Sequence, residues 1–213
     1  MKFVFAPDSF KGSISALNAA RMLDAAARRH FSPLETVLVP VADGGEGTVD
    51  ALILATGGET CTVRVTGPLG EPVDAVYGML PDGETAVLEM AQASGLPLVP
   101  QDRRNPLRTS SFGTGEMILD AIRSGASKLL IGIGGSATND GGMGMLSALG
   151  WRFSDANGDP VRPCGAGLAR VASVDGSGQH PALANVSITV ICDVNNPLLG
   201  PEGATRVYGP QKG

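Results

Sequence analysis

The first 60 residues of the chain alternate between short apolar runs and stretches with helical spacing. Residues 3–6 and 36–41 are continuous apolar runs of the kind found in buried strands. Apolar positions recur at helical spacing between these runs, up to Phe31, and residues 48–55 predict a second helix that Gly57-Gly58 ends. This β-α-β-α order predicts a pair of parallel strands covered by helices.

Beyond residue 60, the pattern changes to extended runs separated by turn residues. Residues 60–65, 72–80 and 85–90 predict antiparallel strands. The rest of the pattern predicts, in order, a helix at 114–123, a strand at 128–133, a short helix ending at Leu149, a strand at 186–192 and a loop at 202–213. We therefore predict an α/β protein in two parts, residues 1–62 and 63–213. The pattern leaves open whether the second part is inserted into the first.

Composition narrows the class of protein. Hydrophobic residues make up 43% and charged residues 17%, and the net charge of -5 with no basic run argues against a nucleic-acid groove. No segment is long and apolar enough to suggest a membrane span or a secretory signal, so a cytoplasmic location is expected. The cysteines Cys61, Cys164 and Cys192 form no C-x-x-C pair, which favours buried thiols in a reducing compartment over zinc or disulfides.

The most informative segment is LLIGIGGSATNDGGMG at residues 129–144, where an apolar run leads into six glycines. Backbone that carries no side chains lets a phosphate approach its N–H groups, and the short polar side chains add further donors and a carboxylate. We therefore predict a site for nucleotide phosphates that is formed by Gly134, Gly135, Ser136, Thr138, Asn139 and Asp140.

Two known phosphate loops can be compared with this segment. The P-loop pattern fails, because no lysine follows the glycines. The dinucleotide pattern G-x-G-x-x-A is matched by Gly132, Gly134 and Ala137, and Asp155 lies about 20 residues further on, where a ribose-binding carboxylate is expected. An NAD-dependent oxidoreductase is therefore an alternative, although the segment is more polar and richer in glycine than the helix that this pattern usually opens.

Further polar clusters follow other predicted strands, at residues 8–13 and 43–48, and Asp193 follows the strand predicted at 186–192. Ligands of open α/β sheets bind beyond the carboxyl ends of the strands, so these clusters and the glycine-rich segment are expected to line one cleft. A carboxylate directly after a strand, such as Asp193, suits a metal ligand or a proton acceptor in phosphoryl transfer. Carboxylates in the second cluster are equally explained by the favourable dipole at a helix start.

Seven long motifs are distributed over the whole chain: APDSFKGS at 6–13, PVADGGEGTVDAL at 40–52, VTGPLGEPV at 65–73, EMAQASG at 89–95, RNPLRTSSFGTGE at 104–116, GIGGSATNDGGMGML at 132–146 and CDVNNPLLGPEGA at 192–204. Together they resemble the bacterial glycerate kinases, in the family that is separate from the sugar-kinase-like and nucleoside-kinase-like glycerate kinases. The resemblance implies phosphorylation of D-glycerate to a phosphoglycerate, with ATP and Mg²⁺ as cofactors. It also implies a Rossmann-like domain, a second mixed α/β domain inserted into it, and an active site between the two.

The chemistry of glycerate, a small carboxylate with two hydroxyl groups, suggests roles for the polar clusters. The predicted substrate-binding residues are Asp8, Ser9, Lys11, Asp43 and Glu46. Lys11 and Asp193 are the predicted catalytic residues, and Asp193 and Asp140 the predicted metal ligands. A small-molecule substrate is the expected partner, with no nucleic acid and no membrane. The oligomeric state and the choice between 2- and 3-phosphoglycerate stay open.

The extent of the chain departs from the family's pattern. Members of the family run considerably further, and this chain ends at Gly213 within the phrase GPQKG. We therefore expect a fragment that lacks the part completing the Rossmann-like domain. Two other interpretations stay open, namely the NAD-dependent oxidoreductase and a folded remnant without catalytic activity.

Overall fold

The computed structural model describes residues 1–10 and 13–213. Its strands are β1 (Lys2–Phe5), β2 (Glu35–Leu38), β3 (Glu59–Thr66), β4 (Pro72–Met79), β5 (Thr85–Glu89), β6 (Lys128–Gly132), β7 (Arg152–Ser154), β8 (Ser173–Asp175) and β9 (Ser187–Ile191). Its α-helices are α1 (Ala16–His30), α2 (Thr48–Thr56), α3 (Met90–Ser94), α4 (Phe112–Arg123), α5 (Met143–Ala148) and α6 (Ala204–Tyr208). Short 3₁₀ helices lie between several of these elements.

The first two strands form a parallel pair of their own, joined by α1. A hydrogen bond of 3.1 Å from the Val41 N–H to the Pro7 carbonyl extends the pairing beyond the strands. Helix α1 begins after Ser15, whose hydroxyl accepts a hydrogen bond from the N–H of Asn18. The predicted parallel pair with a helix between its strands is confirmed.

The larger sheet has the strand order β3-β4-β5-β6-β9. The pairs β3–β4 and β4–β5 are antiparallel, as predicted, whereas β5, β6 and β9 run parallel. In the register of the parallel strands, Glu89 lies opposite Gly132, and Gly132 lies opposite Ile191. The residues that follow these three positions therefore emerge side by side at the carboxyl edge of the sheet.

The hydrophobic core lies between this sheet and the helices packed against it. Strand β5 is buried along its whole length, and its centre at residues 86–88 is apolar. The side chains of Tyr77, Leu88, Met117 and Leu129 are fully buried, and each of the last three stabilises the fold by about 1.5–3 kcal/mol relative to an exposed position. None of the helices in the described residues is long and apolar enough to span a membrane.

The structure corrects several details of the sequence pattern. Residues 202–213, predicted as a loop, contain α6 and a 3₁₀ helix at Pro210–Lys212. The antiparallel pair of β7 and β8 and the short helix α3 were not predicted, because segments of three to five residues carry too little periodicity. Of the three free cysteines, Cys164 is buried, Cys61 is half-buried and Cys192 is exposed, so the prediction of buried thiols holds fully for one of them.

The predicted division between residues 62 and 63 falls inside β3, which is continuous from Glu59 to Thr66. Helix α2, which precedes that division, packs against β4 and β5. The division into a Rossmann-like domain and an inserted one stays a prediction.

Candidate functional site

Two glycine-rich segments cross at the carboxyl edge of the larger sheet. The N–H of Gly134 donates a hydrogen bond to the Gly44 carbonyl at 3.3 Å, and a Cβ on Gly134 would lie 2.8 Å from the Cα of Gly45. Gly44 also contacts the end of β9, because a Cβ on it would lie 2.8 Å from Cγ2 of Ile191. The structure thus brings together the second polar cluster, the start of the glycine-rich segment and the strand that leads to Asp193.

The first polar cluster lies beside the second. Asp8 and Ser9 follow Pro7, whose carbonyl bonds to Val41 just before Asp43. The carboxylate of Asp8 accepts a hydrogen bond of 2.6 Å from the Ser9 N–H. Because β1 and β2 are parallel, both clusters open at the same end of this strand pair.

Three predicted substrate residues, Asp8, Asp43 and Glu46, have exposed side chains. Asp43 accepts a hydrogen bond of 3.0 Å from the Gly45 N–H, which shapes the turn before α2. Lys11 lies outside the described residues. The roles of these residues in substrate binding stay predictions.

The segment at residues 133–142, which we call the glycine loop, is held by its neighbours at several points. Ala137 donates its N–H to the Ser94 carbonyl at 2.9 Å, and its own carbonyl accepts from the Thr109 hydroxyl at 2.8 Å. The carbonyl of Gly135 accepts from the N–H of Leu96 at 2.9 Å. The backbone of the glycine loop is therefore fixed by contacts from two other motifs, at residues 89–95 and 104–116.

Asp140 anchors the end of the glycine loop. Its carboxylate is buried and accepts hydrogen bonds from the N–H groups of Ser111, Gly142 and Gly144, at 2.8–3.1 Å, and from the Ser111 hydroxyl. Both oxygens are thus engaged by donors of the protein itself. These contacts describe a structural role, and they do not support the predicted roles of Asp140 as a phosphate-binding residue and a metal ligand, because a carboxylate bonded in this way has no free face.

Apart from the N–H of Ala137, the backbone donors in the middle of the glycine loop are free in the part of the chain that the structure describes. Within residues 1–10 and 13–213, the N–H groups of Gly135, Ser136, Thr138 and Asn139 have no hydrogen-bond acceptor. Gly135 has a φ of +70°, a left-handed conformation that glycine adopts without strain. Four of the six predicted phosphate-binding residues therefore offer donors. The N–H of Gly134 is already bonded to Gly44.

Lys212 was missed by the sequence reasoning, which placed it in a terminal loop. Its side chain is only 7% exposed, and its ammonium donates hydrogen bonds to the Ser136 hydroxyl and to the Thr138 carbonyl, the latter at 2.9 Å. Burial lowers the pKa of Lys212, and the negative charge of Asp140 partly offsets this shift. The only signal in the sequence was the position of Lys212 in a segment rich in glycine and proline. Such a segment does not predict a contact with a residue 74 positions earlier in the chain.

Glu89 is a second residue that the sequence reasoning left without a role. It ends β5 beside Gly132, is only 3% exposed, and accepts a hydrogen bond of 2.8 Å from the Val49 N–H in the first turn of α2. Burial raises the pKa of this carboxyl, and the hydrogen bond to Val49 opposes the shift. The signal in the sequence was the position of Glu89 at the end of a predicted strand and at the start of the motif at residues 89–95.

The structure contradicts the dinucleotide alternative. In that motif a helix starts at the glycine-rich turn, whereas α5 begins only at Met143, well after Ala137. The carboxylate of Asp155, the expected ribose ligand, instead bonds to Arg170 at 2.8 Å and to the N–H groups of its own turn. Gly132 packs so closely on the Gly44 carbonyl that a Cβ there would clash, which gives this glycine a packing role.

A cavity of about 470 Å³ lies at the other end of the sheet, among residues such as Gly58, Leu80, Gly83 and Ser124. It contains none of the predicted site residues. We therefore centre the candidate site on the glycine loop, where the polar clusters meet.

A fixed loop with free N–H groups, at the carboxyl edge of parallel strands in an α/β fold, is typical of a phosphate-binding enzyme. Comparison with known proteins is more specific. The model of the glycerate kinase family matches residues 3–213, and the chain belongs to this family.

Named relatives agree with this membership. The chain is 56% identical over 213 residues to a glycerate kinase of Bacillus subtilis (strain 168) and 54% identical to a glycerate 2-kinase of Escherichia coli (strain K12), covering 100% of this chain and 56% of each relative. A crystal structure of a protein assigned as glycerate kinase 2 of Salmonella typhimurium LT2 superposes with a TM-score of 0.87 at 51% identity, over 100% of this chain and 57% of that one. The chain thus spans a little more than half the length of these relatives.

Proposed function

We propose that the protein to which this chain belongs is a glycerate kinase that transfers the terminal phosphoryl group of ATP to a hydroxyl of D-glycerate. The observation that carries the proposal is the match of residues 3–213 to the glycerate kinase family. The free N–H groups of the glycine loop support it, since this chemistry requires a phosphate site. A cytoplasmic location is part of the proposal, and the free cysteines suit a reducing compartment.

Phosphoryl transfer depends on positioning and charge neutralisation more than on covalent help from the protein. In this proposal, the N–H groups of Gly135, Ser136, Thr138 and Asn139 bind phosphate oxygens of the nucleotide. The buried hydrogen bonds at Ala137 hold the loop in place before the nucleotide arrives, so little reorganisation is needed when it binds.

Mg²⁺, when bound, neutralises phosphate oxygens and orients the phosphoryl group, and it is commonly held by one or two carboxylates together with those oxygens. Asp193 fits such a ligand, since it follows β9 at the same edge as the glycine loop, and its side chain is exposed. Asp140 does not fit, because its oxygens are engaged. No three His, Cys, Asp or Glu side chains of the described residues cluster as metal ligands.

For the acceptor, we propose that glycerate lies at the first two polar clusters, near Asp8, Ser9, Asp43 and Glu46. Lys11 would then bind the glycerate carboxylate through a charge-assisted hydrogen bond. Since Gly44 touches both Gly134 and Ile191, this region adjoins the glycine loop on one side and the strand leading to Asp193 on the other.

An ADP-release assay tests the proposal. With D-glycerate and Mg·ATP, a protein extended to the length of the relatives should release ADP at a rate that depends on glycerate, whereas we expect little or no turnover from the 213-residue chain. NMR of the product identifies which hydroxyl is phosphorylated. Glycerate-independent ADP release, or glycerate oxidation with NAD, would contradict the proposal.

The role of Asp193 can be tested in the same extended protein. Asp193→Asn should lower kcat by roughly 100-fold or more with little change in KM, as expected for a group that acts mainly on the transition state. Asp102→Asn, which changes an exposed carboxylate in a 3₁₀ helix outside the glycine loop and the polar clusters, is the matched control. Normal turnover of Asp193→Asn would remove Asp193 from the mechanism.

A further inference from the structure

The segment that follows α6 forms one wall of the glycine loop. Thr205 in α6 hydrogen-bonds to the side chain of Asn139 at 3.2 Å, and Tyr208 donates its hydroxyl proton to Asn196 at 2.6 Å. The 3₁₀ helix at Pro210–Lys212 then places the Lys212 ammonium on the loop. Two residues of α6 thus hold the helix that leads to Lys212, through contacts with Asn139 and Asn196.

The surroundings of this ammonium are unusual for a buried charge. Its two acceptors, the Ser136 hydroxyl and the Thr138 carbonyl, are neutral, and none of the ion pairs within the described residues involves Lys212. A buried ammonium without a carboxylate in contact is costly, since it has lost water and gained no direct counter-charge. Asp140, the nearby carboxylate, is already bonded to Ser111 and to backbone donors.

An anion bound at the glycine loop would supply the counter-charge that the buried Lys212 ammonium lacks. The two residues that hold the ammonium, Ser136 and Thr138, also carry free backbone N–H groups, so cation and amide donors belong to the same short segment. An ammonium has three protons, and two of them are used in these contacts. A phosphate group is the ligand that such a combination of a lysine and free amides recognises in glycine-rich loops.

We propose that Lys212 is the cationic residue of the phosphate site and that its ammonium binds a phosphate group of the ligand at the glycine loop. It supplies, from 74 residues beyond Thr138, the lysine that the local sequence of the loop lacks. The inference rests on the proposed function for the nature of the ligand, a nucleotide or the phosphorylated product, and on the contacts of Lys212 for the residue.

Titration calorimetry on the whole chain tests this inference with adenosine, ADP, Mg·ATP and phosphoglycerate as probes. Lys212→Met should weaken binding of the phosphate-bearing probes by about 10- to 100-fold, the effect of losing a hydrogen bond to a charged group. Adenosine binding should not change, and Lys212→Arg should recover part of the loss. Lys128→Met is the matched control, since Lys128 is exposed and pairs with Glu84 at 3.2 Å.

The pattern of losses separates the outcomes. A loss confined to ADP and ATP, or to phosphoglycerate, supports the inference and identifies the source of the phosphate. An equal loss for adenosine and ATP would show that Lys212 only shapes the loop and would overturn the inference. The inference would also be overturned if Lys212→Met bound ATP and phosphoglycerate as well as the unmodified chain does. The same holds if the unmodified chain bound no phosphate probe.

A measurement on the unmodified chain covers the case in which Lys212→Met does not fold. The ¹³Cε resonance of Lys212, followed against pH, should show its pKa rising when Mg·ATP or phosphoglycerate is added, because a bound anion favours the charged form. An unchanged titration with saturating probe would contradict the inference. Failure of the proposed function is a separate result, since glycerate turnover can be absent while Lys212 still binds phosphate.

Discussion

Asp140 shows how a residue chosen for its chemistry can have a structural task. The sequence places a carboxylate among glycines, where a phosphate or metal role is plausible, but the structure buries it among donors from Ser111, Gly142 and Gly144. Asp140→Asn replaces one acceptor oxygen by an NH₂ group that faces these donors. We expect the free energy of unfolding to fall by about 2 kcal/mol or more.

Urea unfolding measures this change, and Asp193→Asn serves as its control. Asp193 is exposed, so its substitution should alter the stability by no more than about 0.5 kcal/mol. If Asp140→Asn were as stable as the unmodified chain, the carboxylate would not anchor the loop, and a ligand-binding role would regain support.

Glu89 predicts a pH dependence of stability. Its pKa is raised by burial, so the folded state holds this proton more tightly than the unfolded state, whose value is about 4.3. The stabilising contribution is complete below that value and is lost as the pH rises through the folded pKa. Glu89→Gln should therefore lose less stability than the unmodified chain between pH 4 and pH 8, as measured by urea unfolding across this range.

Asp82 provides a control of opposite sign. Hydrogen bonds from the Thr85 hydroxyl and from the N–H groups of Glu84 and Thr85 lower the pKa of Asp82 to about 2. The contribution of Asp82 to stability is present above the pKa that this carboxyl has in the unfolded state, and it is lost as the pH falls toward 2. The free energy of unfolding of Asp82→Asn should therefore differ from that of the unmodified chain at neutral pH and converge with it in acid. If the free energies of unfolding of Glu89→Gln and of the unmodified chain changed in parallel with pH, the raised pKa assigned to Glu89 would be contradicted.

At the scale of elements, the close crossing of two glycine-rich segments is the contact that organises the site. Gly132→Ala would place a methyl group against the Gly44 carbonyl, and the atoms that it would meet are all backbone, which cannot move aside as a flexible side chain would. We expect a loss of about 1–3 kcal/mol, the usual cost of overpacking, together with weaker ligand binding because the glycine loop starts there. Calorimetric unfolding measures the first effect.

The comparison for this variant is Gly70→Ala. Gly70 has a φ of +95° and open space around it, so its substitution carries only the cost of a side chain in a left-handed conformation, roughly 1–2 kcal/mol, and leaves the glycine loop untouched. Ligand binding should then be unchanged in Gly70→Ala and reduced in Gly132→Ala. Equal binding in both variants would show that the crossing is not needed for the site.

The elements themselves were largely predictable from periodicity. The buried strand β5, the helices α1 and α4 and the parallel pair of β1 and β2 have strong patterns over enough residues to be recognised. The segment containing α6 has no such pattern. It is stabilised by docking on Asn139 and Ser136, contacts between residues far apart in the chain, and local propensity carries no information about these.

At the scale of the whole molecule, three of the other motifs that carry the family resemblance contact the motif that contains the glycine loop. The motif at 104–116 supplies Thr109 and Ser111, the motif at 89–95 supplies Ser94, and Gly44 comes from the motif at 40–52. The sequence pattern predicts the position of the loop itself correctly, at the end of a strand. It did not find the residues that hold the loop, because their roles depend on the order of strands in the sheet.

This arrangement predicts which nucleotide stabilises the fold. A ligand that binds only the folded state raises its stability by mass action, by about 2.7 kcal/mol at a concentration of 100 times Kd. For a chain of 213 residues, this corresponds to a rise in Tm of roughly 5–11 °C. Mg·ATP should therefore raise the Tm in differential scanning calorimetry, whereas NADH should not, because no helix opens at Ala137 to receive a pyrophosphate.

Two variants connect this shift to the glycine loop. Asn139→Ala should reduce the rise in Tm with Mg·ATP, because Asn139 belongs to the loop and links it to Thr205. Asp155→Ala should show the full rise, because Asp155 is bonded to Arg170 in the turn after β7 and has no part in the loop. Stabilisation by NADH that disappears in Asp155→Ala would reverse the argument and assign the glycine loop to a dinucleotide.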